Sequence, residues 1–240
     1  MWRALFISFG STVRSEIMGF TLVVFDLDGV LVEEPSAWWT LHHAFGTYEA
    51  SKENLYAYER SIIDYPEFMR RDINLWGLRN IKEIEDILFK FTLREDAIQT
   101  CDSLRKQGYR LAIVSAGIVS AGIDILAEAV SVRVGIQNWV ANGLLLDEKG
   151  LLKGEGIFRV DLKRKDWALT ELLNSLRVEL PEVVAVGDSK YDLSMMEVCG
   201  GGIAYTDAGA TEVSLVWTKG WCKVSALSAL PEAVSKLVQQ

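Results

Sequence analysis

Two pairs of carboxylates stand out in this chain for their spacing and their company. Asp26 and Asp28 lie two residues apart in FDLDGVLVE, and Asp188 and Asp192 lie four apart in VVAVGDSKYDLSMM. Each pair directly follows an apolar run. A lone Asp-x-Asp is as readily a loop or helix-capping feature as a reactive one, but a second pair in the same setting strengthens the reactive reading of the first. In a close pair one carboxylate can attack phosphorus, while the other, protonated, donates to the leaving oxygen and later activates water. A hard cation such as Mg2+ takes oxygen ligands in octahedral array and keeps waters and a substrate phosphate among them. Asp26, the carbonyl of Asp28, and Asp188 match that demand. Asp192 suits an outer position, orienting a metal-bound water or a neighbouring ligand, or equally a helix N-terminus.

Other polar residues fall in comparable places. Ser115 closes a third apolar run in LAIVSAGI, where its hydroxyl and the following N–H groups, that of Ala116 first, can hold phosphate oxygens. A single serine there is more often an ordinary cap. Lys163 and Lys165, at the start of a helical pattern, are the lysines placed to neutralise a phosphoryl group, though most lysines are simply solvated. Arg70 and Arg71 in PEFMRRD offer forked donors for a substrate carboxylate or second phosphate, against the plainer reading of exposed helix charges.

These residues need elements to hold them. TLVVF at 21–25, LAIV at 111–114 and VVAV at 183–186 read as strands buried on both faces. Helical patterns over 95–107, 118–129 and 166–176 separate them, which predicts an α/β fold with a doubly wound, Rossmann-like parallel sheet. Ligands in such sheets bind at the carboxyl ends of the strands, where all three runs present polar residues. Residues 33–92 are aromatic-rich and helix-compatible, predicting a small helical cap inserted after the first strand. The core is then 18–32 and 93–240. Residues 137–156, with turn signals at Asn142-Gly143 and Lys149-Gly150, read as a β-hairpin. The tail offers short strands near Ile203 and over 213–217, then a helix from about Ala226.

Bulk composition narrows the partners. Of 240 residues half are hydrophobic and 24% charged, the balance of a globular protein able to bury a core. The net charge of -8 and the lack of a dense Lys/Arg cluster speak against nucleic acid. No apolar stretch approaches the roughly 18 residues that span a bilayer. Three widely spaced cysteines, Cys101, Cys199 and Cys222, suggest neither a disulfide framework nor a zinc knuckle, and fit a reducing cytoplasm. Residues 1–17 carry Arg3, Arg14 and a patch too short for a secretory signal; they are expected to be a dispensable leader, with Met18 beginning the functional chain. His42 and His43 receive no catalytic role.

In their order and surroundings FDLDGV, AIVSAG, Lys165 and VAVGDSKYDL resemble the four motifs of the haloacid-dehalogenase superfamily, over roughly residues 21–32 and 95–205. The match running through the hairpin ANGLLLDEKGLLKGEG points to the phosphoserine-phosphatase-like branch. The resemblance implies Asp26 as nucleophile, Asp28 as acid/base, Ser115 as phosphate ligand, Lys165 rather than Lys163 as the charge-neutralising lysine, and Asp188 as ligand of Mg2+. The implied activity is hydrolysis of a small phosphomonoester, phosphoserine or a related metabolite, through an aspartyl-phosphate, by a cytoplasmic monomer or homodimer without membrane or nucleic-acid partner. A phosphotransferase or sugar-phosphate mutase on the same core, or a silent ligand-binding member, are the rival readings. This sequence departs from the branch at Val30, where Ser or Thr is usual, at Tyr191, in place of an asparagine that contacts the phosphoryl site, and at Pro35, where the cap's acidic residue is expected. Those departures bear on the substrate.

Overall fold

The computed structural model describes residues 19–119, 125–206 and 221–238. Its centre is a seven-stranded sheet in the order β4-β3-β2-β1-β5-β6-β7. The strands are β1 (Leu22–Phe25), β2 (Arg110–Val119), β3 (Asn138–Leu146), β4 (Leu152–Ile157), β5 (Val183–Gly187), β6 (Gly201–Tyr205) and β7 (Cys222–Val224). All neighbours run parallel except β3 and β4. Every residue of β1 and of β5 is buried, as unbroken apolar runs require when helices cover both faces. Among the described residues, the α-helices outside the insertion are α5 (Ala97–Lys106), α6 (Ile125–Val134), α7 (Lys165–Leu176), α8 (Leu193–Val198) and α9 (Leu230–Leu237).

Register decides where the chemistry gathers. Phe25 stands opposite Ile113 of β2 and Val186 of β5, so Asp26 and Asp188, just past their strands, come to about the level of Ser115 within β2. Because the chain departs from β1 to opposite sides, to β2 and to β5, a crevice opens at that edge.

Between Val32 and Leu93, which meet in an isolated antiparallel bridge, the chain forms α1 (Ala37–Ala44), α2 (Tyr48–Glu59), α3 (Tyr65–Trp76) and α4 (Ile81–Leu88). Ser36 caps α1, Asp64 caps α3, and Asn80 with Glu83 forms a capping box on α4, each satisfying N–H groups a helix start would otherwise leave open. The apolar face of α3 (Tyr65, Phe68, Met69, Ile73, Trp76) is buried. Trp38 packs on it, 5.3 Å from Trp76 and 5.7 Å from Phe68 between ring centroids.

Three local expectations change. Asn142-Gly143, read as a turn, lies inside β3, and the hairpin reverses at Asp147–Gly150. The Asn142 amide is fully buried and hydrogen-bonded to backbone on two other segments, so tertiary partners override its turn preference. The helix expected from Ile118 begins only at Ile125 among the described residues, because Ile118 and Val119 continue β2 against Asn142 and Gly143. In the tail β6 forms around Ile203; the strand expected over 213–217 and the leader 1–17 lie outside the described residues. A short strand at 222–224 was not foreseen, being too brief to show a period.

Candidate active site

Asp26 follows the last residue of β1, and its backbone N–H donates to the Val186 carbonyl at 2.9 Å, tying it to β5. Its carboxylate accepts from Leu27 N–H at 2.7 Å and from Lys165 Nζ at 2.8 Å. Lys165, the first residue of α7, is buried and also donates to Asp192 at 2.6 Å. The other oxygen of Asp192 accepts from the N–H groups of Asp188 and Ser189 and from the Ser189 hydroxyl, at 2.9 to 3.1 Å. Asp192 thus holds Lys165 on one side and the loop carrying Asp188 on the other.

One carboxylate oxygen each from Asp26, Asp188 and Asp192 lies within 4.8 Å of the others. Three carboxylates against one ammonium leave an excess of negative charge in a dry place. Burial foremost, then Asp192, push the Asp26 carboxyl well above its ordinary value, and the same causes raise Asp188 to about 7. Burial acts on Asp192 as well, but Lys165 and Ser189 outweigh it and hold that group low. Lys165 is pulled up by Asp192 and Asp26 against its own burial. Such a donor set suits a divalent cation, and oxygen donors fit Mg2+.

Asp28 behaves differently. Burial raises it to about 6, against the Ala37 N–H and Lys165, and its Oδ1 is buried without a hydrogen-bond partner. Gly29 has φ +78°, and a Cβ there would stand 2.3 Å from Asp188 Oδ2. The tight turn between the two acidic loops thus demands glycine twice over. Gly117 faces Asp28 in a similar way, since a Cβ on it would meet Asp28 Oδ2 at 2.8 Å and Ser115 Oγ at 2.9 Å.

A cavity of about 380 Å3 opens from these carboxylates toward the insertion, with Ser115 and Lys165 at its floor and Trp38, His42, Tyr65 and Asp72 on its upper wall. Lys163 is elsewhere engaged, donating to the carbonyls of Tyr58 and Glu59 at 2.8 Å each. Arg70 and Arg71 both turn to Glu67, at 2.7 Å, on the exposed side of α3 and outside the cavity wall. The structure does not bring them to the acidic cluster.

The cavity wall also holds Asp72, which the sequence reading did not single out, beside His42. Asp72 is buried, accepts from Asn54 Nδ2 at 2.7 Å, and lies 3.1 Å from His42 Nε2, which is out of line for a hydrogen bond to it. The spacing Phe68, Asp72, Trp76 places this carboxylate on the buried stripe of α3, a signal the sequence carried. Tyr191 turns to the insertion, donating to Glu59 at 2.5 Å beside Lys190 at 2.6 Å.

The family model described as haloacid dehalogenase-like hydrolase matches residues 23–197. The chain belongs to this family. Within it, the relatives are phosphoserine-phosphatase-like. A probable phosphoserine phosphatase of Schizosaccharomyces pombe is 30% identical over 77% of this chain, which spans 60% of that relative's length. The phosphoserine phosphatase of Methanocaldococcus jannaschii is 26% identical over 77% of this chain and 84% of its own. Among solved structures, a phospho-aspartyl intermediate analogue of phosphoserine phosphatase superposes with a TM-score of 0.65 at 26% identity, covering 78% of this chain and 87% of the other. The enzyme class that goes with these relatives is phosphoric monoester hydrolase. No helix among the described residues is long and apolar enough to cross a membrane.

Proposed function

We propose that this protein is a Mg2+-dependent phosphatase of small phosphomonoesters that works through an aspartyl-phosphate on Asp26. The observation that carries the reading is the division of labour between the two carboxylates after β1. Asp26 is fixed by Leu27 and Lys165 beside the acidic cluster, while one oxygen of Asp28 is buried without a hydrogen-bond partner. In the first half-reaction an Asp26 oxygen bonds to phosphorus, the bond from phosphorus to the leaving oxygen breaks, and Asp28 gives that oxygen its proton. In the second, Asp28 takes a proton from water as the water oxygen attacks phosphorus and frees Asp26. Mg2+, held by Asp26, Asp188 and the Asp28 carbonyl, would supply charge neutralisation for the phosphoryl oxygens. Lys165, the Ser115 hydroxyl and the Ala116 N–H share that task, since phosphoryl transfer rests mainly on positioning and electrostatics. Asp192 acts at one remove by holding Lys165 and the Asp188 loop.

For the leaving group, Asp72 is the buried carboxylate of the cavity's upper wall. It suits a substrate with an ammonium group, as phosphoserine has, despite Pro35 at the usual acidic position. The test is release of inorganic phosphate from p-nitrophenyl phosphate and phosphoserine with and without Mg2+, with Asp26→Asn as the blank. Mg2+-dependent release lost in the variant is the expected result. Turnover retained by Asp26→Asn would overturn the covalent scheme.

A further inference from the structure

Ser115 and Ala116, which would bind the phosphoryl group, sit with Gly117 in an irregularity of β2. Val114 pairs with Val140 of β3, but the next paired residue, Ile118, faces Asn142. Four steps of β2 are thus answered by two of β3, and the intervening peptides are turned out of the ladder. Three side chains converge on one of those peptides. The Ala116 carbonyl accepts from Tyr65 Oη at 2.8 Å, Asn142 Nδ2 at 3.1 Å and Trp38 Nε1 at 3.2 Å. Three donors exceed the two lone pairs of a carbonyl oxygen, and all three side chains are buried. Two of them, Trp38 on α1 and Tyr65 on α3, belong to the insertion; Asn142 belongs to the sheet.

The peptide is planar and trans, so fixing the Ala116 carbonyl also fixes the Gly117 N–H on its opposite side. That N–H donates to Ser115 Oγ at 2.9 Å. A serine hydroxyl that accepts there has its own proton left to give. We propose that Tyr65, Trp38 and Asn142 are positioning residues for the phosphate site, acting through the Ala116 carbonyl to aim the Ser115 hydroxyl at a phosphoryl oxygen. The chain of hydrogen bonds from Tyr65 to the carbonyl, across the peptide to Gly117 N–H, and on to Ser115 is one in which each bond polarises the next. Donors carried by the insertion thereby couple its position to the phosphate-binding peptide. This rests on the phosphatase reading for its ligand, inorganic phosphate and its esters.

Tyr65→Phe is the clean perturbation. It keeps the ring among Tyr58, Phe68 and Phe158 and removes only the hydroxyl, whereas Asn142 also holds Val160 at both N–H and carbonyl. On the full chain with Mg2+, kcat/KM is measured for p-nitrophenyl phosphate and phosphoserine, with the competitive Ki of inorganic phosphate and Tm alongside. Loss of one hydrogen bond to the phosphate site is expected to lower both kcat/KM values by the same factor, about tenfold, and to raise Ki for phosphate by a similar factor. Trp38→Phe should act in the same sense. A loss that differs between the two esters with unchanged phosphate Ki would make Tyr65 a wall for the leaving group and overturn the proposal. If the wild type releases phosphate from neither ester, the phosphatase reading fails separately. Calorimetric phosphate binding then decides: weaker binding by Tyr65→Phe supports the relay, while equal binding, or none by the wild type, overturns it.

Discussion

Gly29→Ala should damage metal binding as well as the fold. At φ +78° an alanine pays the left-handed steric penalty, about 1 to 2 kcal/mol, which for a chain of this size lowers Tm by about 2 to 8 °C. The new methyl would also lie 2.3 Å from Asp188 Oδ2, well inside the ~3.5 Å of ordinary contact. The carboxylate must therefore move by roughly an ångström, and it belongs to the cluster with Asp26 and Asp192. Disturbing the support of a metal ligand typically costs 10- to 100-fold in affinity, so Kd for Mg2+, read by calorimetry, should rise by about that much. Gly108 provides the control, with φ +95° and open space around its would-be Cβ. Gly108→Ala should lower Tm similarly and leave Mg2+ affinity alone. Equal Mg2+ affinity in the two variants would refute the steric argument.

Four further outcomes follow from the same geometry. Asp28 keeps its proton to about pH 6 in the folded chain but releases it near 4 when unfolded, so the folded state binds more protons in between; metal-free stability, followed by urea unfolding, should fall as pH rises through that window, less steeply in Asp28→Asn. Lys165→Met leaves Asp26 and Asp192 buried without their cation and should destabilise the metal-free protein by about 3 kcal/mol or more in the same assay. Asp72→Asn should raise KM for phosphoserine several-fold and leave p-nitrophenyl phosphate nearly unchanged; equal effects would remove Asp72 from leaving-group recognition. Glu59→Gln weakens a half-exposed tie to Lys190 and Tyr191, so the stability loss should stay below about 1 kcal/mol while hydrogen exchange at the end of α2 quickens.

The strands that matter were legible because each is an apolar run too long for a turn and ended by a polar residue. Asp26 and Asp188 sit just past β1 and β5, Ser115 follows the apolar run within β2, and parallel register does the rest. What was not legible depended on partners far along the chain. Asn142-Gly143 carries a local turn preference, and only Ala116 and Val160, brought close by the fold, make a strand position better for it. Arg70 and Arg71 have the right chemistry for an anion, yet the stripe Tyr65, Phe68, Trp76 fixes which side of α3 faces inward, and that side carries Asp72. Of the eight tryptophans, Trp38 and Trp76 acquire a reason as the centre of the insertion's packing, whereas nothing in the structure explains why Trp167 is half exposed beneath Arg164.

The bridge between Val32 and Leu93 makes the two connections of the insertion into a single short ribbon. Glu33 N–H donates to Thr92 O, Arg94 N–H to Leu31 O, and Thr92 N–H to the Glu34 carboxylate. The same ribbon grips the loop of Asp28, for Gly29 N–H donates to Glu34 O and Arg94 Nη2 to Gly29 O. The base of the insertion and the loop of Asp28 are consequently tied to one another through Glu34 and Arg94. Paired ends also form a natural graft point. A different insertion could be spliced there without disturbing the sheet, provided it returned its chain to Leu93 at the same spacing and supplied donors to the Ala116 carbonyl in place of Tyr65 and Trp38.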